Sequence, residues 1–165
     1  MYTVIFNYWR RAAFLFLLGL LLFCYVGFPD SIAYQHNGVG RPIGFIDKQT
    51  FFYLSVGIIV GLNLLFGVVK SQFEKIDFQK LIPNNAWTSN QEQLKDLLSG
   101  WFNAIQAFIN TYLVFALMGL KSINLEVEQN LDRDYTWFLV IGAVVLIALI
   151  FSVPLKILFS NPPKN

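Results

Sequence analysis

Three side-chain amides, Asn103, Gln106 and Asn110, stand at i, i+3 and i+7 within one apolar stretch, and a fourth, Asn63, lies within another. On a helix the three share a face, and an amide surrounded by hydrocarbon is costly unless it is paired. They fit two kinds of chemistry: hydrogen bonding between helices, or a polar cavity that lines the path of a small molecule. Other residues offer little catalysis. His36 is the lone histidine, able to titrate near neutral pH, but no second His or Cys stands near it to complete a metal site. Asp30 and Asp47 flank its loop as a formal carboxylate pair and read as solvated loop charges. Ser55, Thr111 and Ser152 lie in or near apolar stretches with no base to activate them. No H-E-x-x-H, G-x-S-x-G or P-loop pattern occurs. The expectation is a protein that is not an enzyme and takes no cofactor or metal.

The elements that hold these residues are four apolar stretches, Ala12–Phe28, Phe51–Val69, Gly100–Leu120 and Trp137–Leu155. Each is long enough, at about 1.5 Å per helical residue, to cross or nearly cross a hydrocarbon core of about 30 Å. The chain is 56% hydrophobic and 13% charged, where soluble domains carry about 25% charged residues. The expected fold is therefore an all-α polytopic membrane protein, a single domain over 1–165 with four transmembrane helices. A structured outer loop, 29–50, joins the first two; an inner segment, 70–99, and a second outer loop, 121–136, complete the connections. Its surroundings are expected to be the lipid bilayer, and a net charge of +2 is too small to suggest nucleic acid as a partner. Arg10-Arg11 before an apolar run begins like a signal peptide. No small-x-small cleavage site precedes Pro29, and Phe23 is too large for a lipobox before Cys24, so the first stretch is expected to be a retained helix.

Basic residues set the orientation. With the N-terminus cytoplasmic, the inner face holds Arg10, Arg11, Lys70, Lys75, Lys80, Lys95, Lys156 and Lys164, and the outer face Arg41, Lys48, Lys121 and Arg133. This places both termini in the cytoplasm. No charged residue is expected deep in any span, which argues against a proton relay or a cation-coupled pump. Gly57 and Gly61 give the second stretch a small-xxx-small spacing suited to close helix packing, inside the bundle or in a dimer. Ser89-Asn90-Gln91-Glu92 reads as a capping box that starts the third helix before the membrane. Pro154 is expected to kink or end the fourth. The segment Lys70–Thr88 alternates apolar and charged residues, as an interfacial segment does, and is punctuated by Pro83-Asn84.

The outer loop is dense in turn-formers, with Asn37-Gly38, Gly40 and Gly44 available for positive φ, and suggests a two-stranded or turn-rich cap. It resembles the bacterial membrane domain of unknown function 1648, whose pattern is roughly L-P-x-x-I-P-x-H-F-N-x-x-G with a lysine eight residues on. Pro29, Ile32, Asn37, Gly40 and Lys48 fall in register; Ala33 stands at the second proline, and Gln35 at the histidine, with His36 displaced by one. A second segment, Ile82–Glu92, is similar to the family's I-P-N-x-x-Y-W-L-x-P-E through Pro83, Asn84, Trp87 and Glu92. The resemblance implies a bacterial inner-membrane protein. Relatives of that family include a larger immunity protein that protects a bacterium from its own secreted toxin and signals its presence.

Three readings follow. In the leading one, Pro29, Ile32, Gln35, His36, Asn37, Gly40 and Lys48 form an outer surface for a protein or peptide partner, as in a sensor, immunity-like factor or accessory subunit. In the second, Asn63, Asn103, Gln106 and Asn110 line a transporter or channel. In the third, Gly57 and Gly61 hold the chain in a homo-oligomer or larger complex as a structural subunit.

Overall fold

The computed structural model describes residues 2–81, 83, 85–131 and 134–162. Asn84 and Ile82 of the inner motif, Asp132 and Arg133 of the acidic loop, and Lys164 lie outside them. The described chain is mostly helical, in the order α1 (Tyr2–Gly27), β1 (Ser31–His36), β2 (Pro42–Asp47), α2 (Lys48–Lys75), α3 (Phe78–Leu81), α4 (Ala86–Ser89), α5 (Gln91–Leu125) and α6 (Thr136–Phe159). The long helices α1, α2, α5 and α6 are each long and apolar enough to cross a membrane. They run alternately up and down, so one end of the bundle carries the β1–β2 hairpin and the other carries α3, α4 and the chain's N-terminal end.

All four helices outrun the apolar stretches that announce them. The 35 residues of α5 span about 52 Å, well beyond a hydrocarbon core of about 30 Å. Its first turns already bury Leu94 and Leu98, ahead of the apolar stretch in which Ala104, Ala107 and Asn110 are buried. Its cap is Asn90, whose Oδ1 accepts from Gln93 N at 3.3 Å. The expected Ser89–Glu92 capping box does not form, because Ser89 belongs to α4 and donates its hydroxyl to Asn85 O. At α2, Asp47 is the cap and accepts from Thr50 N at 2.9 Å. That backbone bond holds the Asp47 carboxyl below its ordinary range, so the contact persists above the carboxylate's unfolded pKa and is lost as pH falls through the folded value. Pro154 sits inside α6 and does not end it; the helix runs on to Phe159.

α5 is the hub. Of its most apolar window 44% is buried, against 6% for α2 and 11% for α6. α1 lies along α5, and α2 and α6 flank the pair. Near the hairpin, Leu17, Leu21 and Cys24 of α1 and Phe28 just after it meet Ile59 of α2, Val114 and Leu117 of α5, and Ile32 of β1. At the opposite end Trp87, Leu94, Leu98 and Val153 form a second cluster. Lipid tails are as apolar as leucine, so these contacts gain by close fit and dispersion rather than by release of water. α6 is seated by Tyr112, whose ring stacks on Phe138 at 4.3 Å and 3° over a notch left by Gly142, where any Cβ would collide with that ring.

Gly57 and Gly61 do not pack inside the bundle. A Cβ on either would meet nothing within 4 Å, because the face of α2 that carries them points away from the other helices. Besides Gly142, a helical glycine that does admit a close neighbour is Gly100, where α5 passes Thr3 of α1.

Candidate functional site

The hairpin is built by the residues the outer-loop motif contains. Ile32 pairs with Ile46 across the strands and is fully buried against α1 and α5. Asn37 closes the turn: its Oδ1 accepts from Val39 N at 3.1 Å and Arg41 N at 2.9 Å, an Asx arrangement that substitutes for backbone pairing. At the hairpin base, Lys48 Nζ reaches Asp30 Oδ1 at 3.0 Å and Phe28 O at 3.4 Å, locking the end of α1 to the start of α2. Pro29, half-buried, lies between Phe28 and that ion pair. Asp30 and Asp47 thus serve separate partners and form no carboxylate pair. Of the three loop glycines suggested for positive φ, only Gly40 adopts it, at +80°. Gly44 instead supplies space, since a Cβ there would lie 2.9 Å from Gln35 Cβ at the bulge in β1. Gln35 itself is exposed.

The last turn of α5 and the connection that follows it grip this hairpin. Asn124, only 3% exposed, pairs with the backbone of Ala33 like a neighbouring strand: Ala33 N donates to Asn124 Oδ1 at 2.7 Å, and Asn124 Nδ2 donates to Ala33 O at 3.1 Å. Gln129 Nε2 donates to Ser31 O at 3.0 Å. Leu131 N donates to Gly40 O at 2.8 Å. His36 does not bond within its own turn; its Nε2 lies 2.9 Å from Gln129 O, and since a carbonyl only accepts, that nitrogen carries the proton. Asn124 lies beyond the third apolar stretch, in residues read as loop, and belongs to the last turn of α5. Its signal was spacing: Asn103, Asn110, Leu117 and Asn124 recur every seven residues, close to two helical turns, and so share a face.

Gly40 carries a testable consequence. A Cβ at Gly40 would stand 2.6 Å from Leu131 O, on a φ that L residues rarely adopt. Gly40→Ala is expected to cost about 1–3 kcal/mol of local stability, read as faster amide exchange across 31–47 with the helices unchanged.

Strand chemistry identifies an open edge. Lys48 N donates to Asp30 O at 3.0 Å, which makes 30/48 a hydrogen-bonded pair. Such pairs alternate with non-bonded ones in an antiparallel ladder. Ile32/Ile46 is then bonded, while Ser31/Asp47 and Ala33/Phe45 are not, so Ser31 and Ala33 turn their backbone groups outward. Of these, Ser31 O is taken by Gln129 and both groups of Ala33 by Asn124. By the same alternation, Phe45 turns its N–H and C=O to the far edge of β2, where no described residue pairs with them. Tyr34, Ile43 and Phe45 are 59%, 57% and 51% exposed on this hairpin.

The amides form a closed cluster. Asn63 Nδ2 donates to Asn110 Oδ1 and Asn110 Nδ2 to Asn63 Oδ1, both at 3.0 Å. Gln106 Nε2 donates to Asn63 Oδ1 at 2.7 Å and to Asn63 O at 3.1 Å. Asn103, Gln106 and Asn110 are all buried, bonded between helices. The expectation of charge-free spans is corrected here, because the helices are longer than the apolar runs. Lys70 Nζ donates to Asn103 Oδ1 at 3.2 Å, and Arg10 Nη1 reaches Gln106 Oε1 at 3.4 Å, so two cations reach the end of the amide face far from the hairpin. The hydroxyls of Thr111 and Ser152 donate back to Ala107 O and Leu149 O of their own helices.

At that same end, Pro83 is exposed and Trp87 is buried, with its indole donating to Ser160 O at 2.6 Å. Trp87 and Glu92 line a cavity of about 750 Å³. Among the described residues, no group of His, Cys, Asp and Glu could hold a metal ion. No protein-family model, curated protein or solved structure matches the chain.

Proposed function

We propose that the chain is a non-enzymatic multi-pass protein of the bacterial plasma membrane that binds an extended segment of a partner protein or peptide along β2 of its hairpin. The observation that carries the reading is the open β2 edge: a backbone donor and acceptor at Phe45 beside exposed Tyr34, Ile43 and Phe45. An extended peptide added there would gain main-chain bonds from the edge and side-chain contacts from its face. The other edge of the hairpin is already occupied by Asn124 and Gln129. The distribution of cations supports an outward-facing hairpin with both termini cytoplasmic. Arg10, Arg11, Lys70, Lys75, Lys80, Lys95 and Lys156 lie toward the opposite end, while Arg41, Lys48 and Lys121 lie toward the hairpin. The resemblance to domain 1648, with its immunity relatives, fits a surface that meets an external protein.

Phe45→Pro tests the reading. It removes the outward N–H without touching a β1–β2 bond, and an edge strand tolerates proline. A photo-crosslinker at Tyr34, in cells, is expected to yield a discrete adduct that Phe45→Pro abolishes. Crosslinking only to lipid, or an adduct unchanged by Phe45→Pro, would reject strand addition.

A subunit reading is favoured by the open face of α2, where Gly57 and Gly61 have space for another helix. Loss of an associated membrane protein in Gly57→Leu, with crosslinking at Tyr34 intact, would select it.

A further inference from the structure

The cavity far from the hairpin is graded along its length. α5 forms its floor, Thr3 and Phe6 of α1 one wall, and Leu149, Ser152, Val153 and Lys156 of α6 the other. Glu92 and Asp96 stand at the start of α5, one turn apart on the same face, and Lys156 stands near the end of α6 beside Trp87, its Nζ 5.7 Å from the indole ring. Moving along α5 toward the hairpin, the lining changes to Leu97, Gly100, Trp101 and Ala104, facing Leu149. From Glu92 to Ala104 this covers about 18 Å of helix. One end thus carries both signs of charge and the other is apolar.

Among the described residues none of the three charges has an ion-pair partner; the salt bridges are Lys48–Asp30, Lys70–Glu74 and Lys80–Asp77. Two carboxylates at i, i+4 repel each other, and a cation between them relieves that repulsion. Trp101 donates its indole N–H to Leu149 O at 2.6 Å, so its ring presents a satisfied, rigid apolar surface. The volume is that of a small-molecule site, between helices long and apolar enough to cross a membrane.

We infer that this cavity holds one zwitterionic phospholipid bearing a primary ammonium. The ammonium lies between Glu92 and Asp96, the phosphate meets Lys156, and the upper acyl chains lie on Trp101, Ala104 and Leu149. The charge pattern distinguishes this occupant from the other lipids. An anionic headgroup would use Lys156 but face two carboxylates. A quaternary ammonium would bring charge without N–H donors for them.

The test uses the full chain, delipidated in maltoside micelles and titrated separately with phosphatidylethanolamine, phosphatidylcholine and phosphatidylglycerol of identical acyl chains. Native mass spectrometry counts the bound lipid. The wild type is expected to retain one phosphatidylethanolamine about tenfold more tightly than either of the others, as befits charge-assisted bonds. Glu92→Gln with Asp96→Asn is expected to bring phosphatidylethanolamine down to the phosphatidylcholine level, and Lys156→Gln to weaken all three. Circular dichroism confirms that each variant remains helical. Equal binding of the three lipids by the wild type, or no retained lipid, overturns the proposal without reference to any variant. Discrimination that survives the double neutralisation overturns the assignment of the ammonium.

Discussion

Asn124→Leu detaches the hairpin from the helices and is expected to be the most damaging single substitution at that end of the molecule. It strands a backbone N–H and a C=O of Ala33, a residue with no exposed surface. An orphaned buried polar group costs about 1–3 kcal/mol, so the expected loss is about 2–5 kcal/mol, confined to the cap. Hydrogen exchange followed by mass spectrometry should show residues 31–47 exchanging at least tenfold faster while the interior of α5 stays protected. Leucine fills the volume, so a response limited to a small cavity-like loss would show that the amide pairing is not what anchors the hairpin. Asn124→Asp keeps one acceptor for Ala33 N but loses the donor to Ala33 O, and should fall between the two.

Asn63→Leu produces the second large effect, in the middle of the bundle. Gln106 keeps a partner in Asn63 O, which the substitution leaves in place. Asn110 loses both its donor and its acceptor contact. The bond from Gln106 Nε2 to Asn63 Oδ1 is lost as well; interhelical side-chain bonds in membranes average about 0.6 kcal/mol with a maximum near 1.7, so losing three at once should cost about 1–4 kcal/mol. Removing both partners is cheaper than removing one, because no orphan is left. Asn63→Leu combined with Asn110→Leu is therefore expected to recover most of the loss. Steric-trap or denaturant unfolding in micelles measures the cycle. A double variant as damaged as the sum of the singles would mean that the amides act independently and that the reciprocal pair contributes nothing as a unit.

The membrane helices were legible because each carries a long apolar run, and a lone run of that length has few other solutions. Their ends were not, because α1 and α5 continue through polar residues whose helical face stays apolar while their average hydropathy drops. Reading span limits from hydropathy put Arg10 and Lys70 outside the spans, when both side chains reach buried amides. The hairpin was legible in its turn residues, and Asn37, Gly40 and Lys48 have roles their types imply. Gly57 and Gly61 illustrate the reverse case. Their spacing permits close packing but does not require it, and the partner helix must be known before the motif means anything. The amides at 103, 106 and 110 are buried, and each is bonded to a side chain of α2. Which amide pairs with which, and that Asn63 sits at the centre, depends on the rotation of α2 against α5, a tertiary quantity that no single helix encodes.

The pairing of the first long helix with the third has a consequence for how the protein is made. Trp9 donates to Thr111 Oγ1 across 102 positions of chain, and Ala33 meets Asn124 across 91. At about 5–20 residues per second, α1 waits roughly 5–20 s after leaving the ribosome before its mate exists. During that interval Arg10 has no Gln106 to reach, and the backbone of Ala33 can be satisfied only by water. The hairpin therefore acquires its final shape late, when the end of α5 emerges and Asn124 arrives. A stalled or truncated chain would display a headpiece that is translated in full yet remains open.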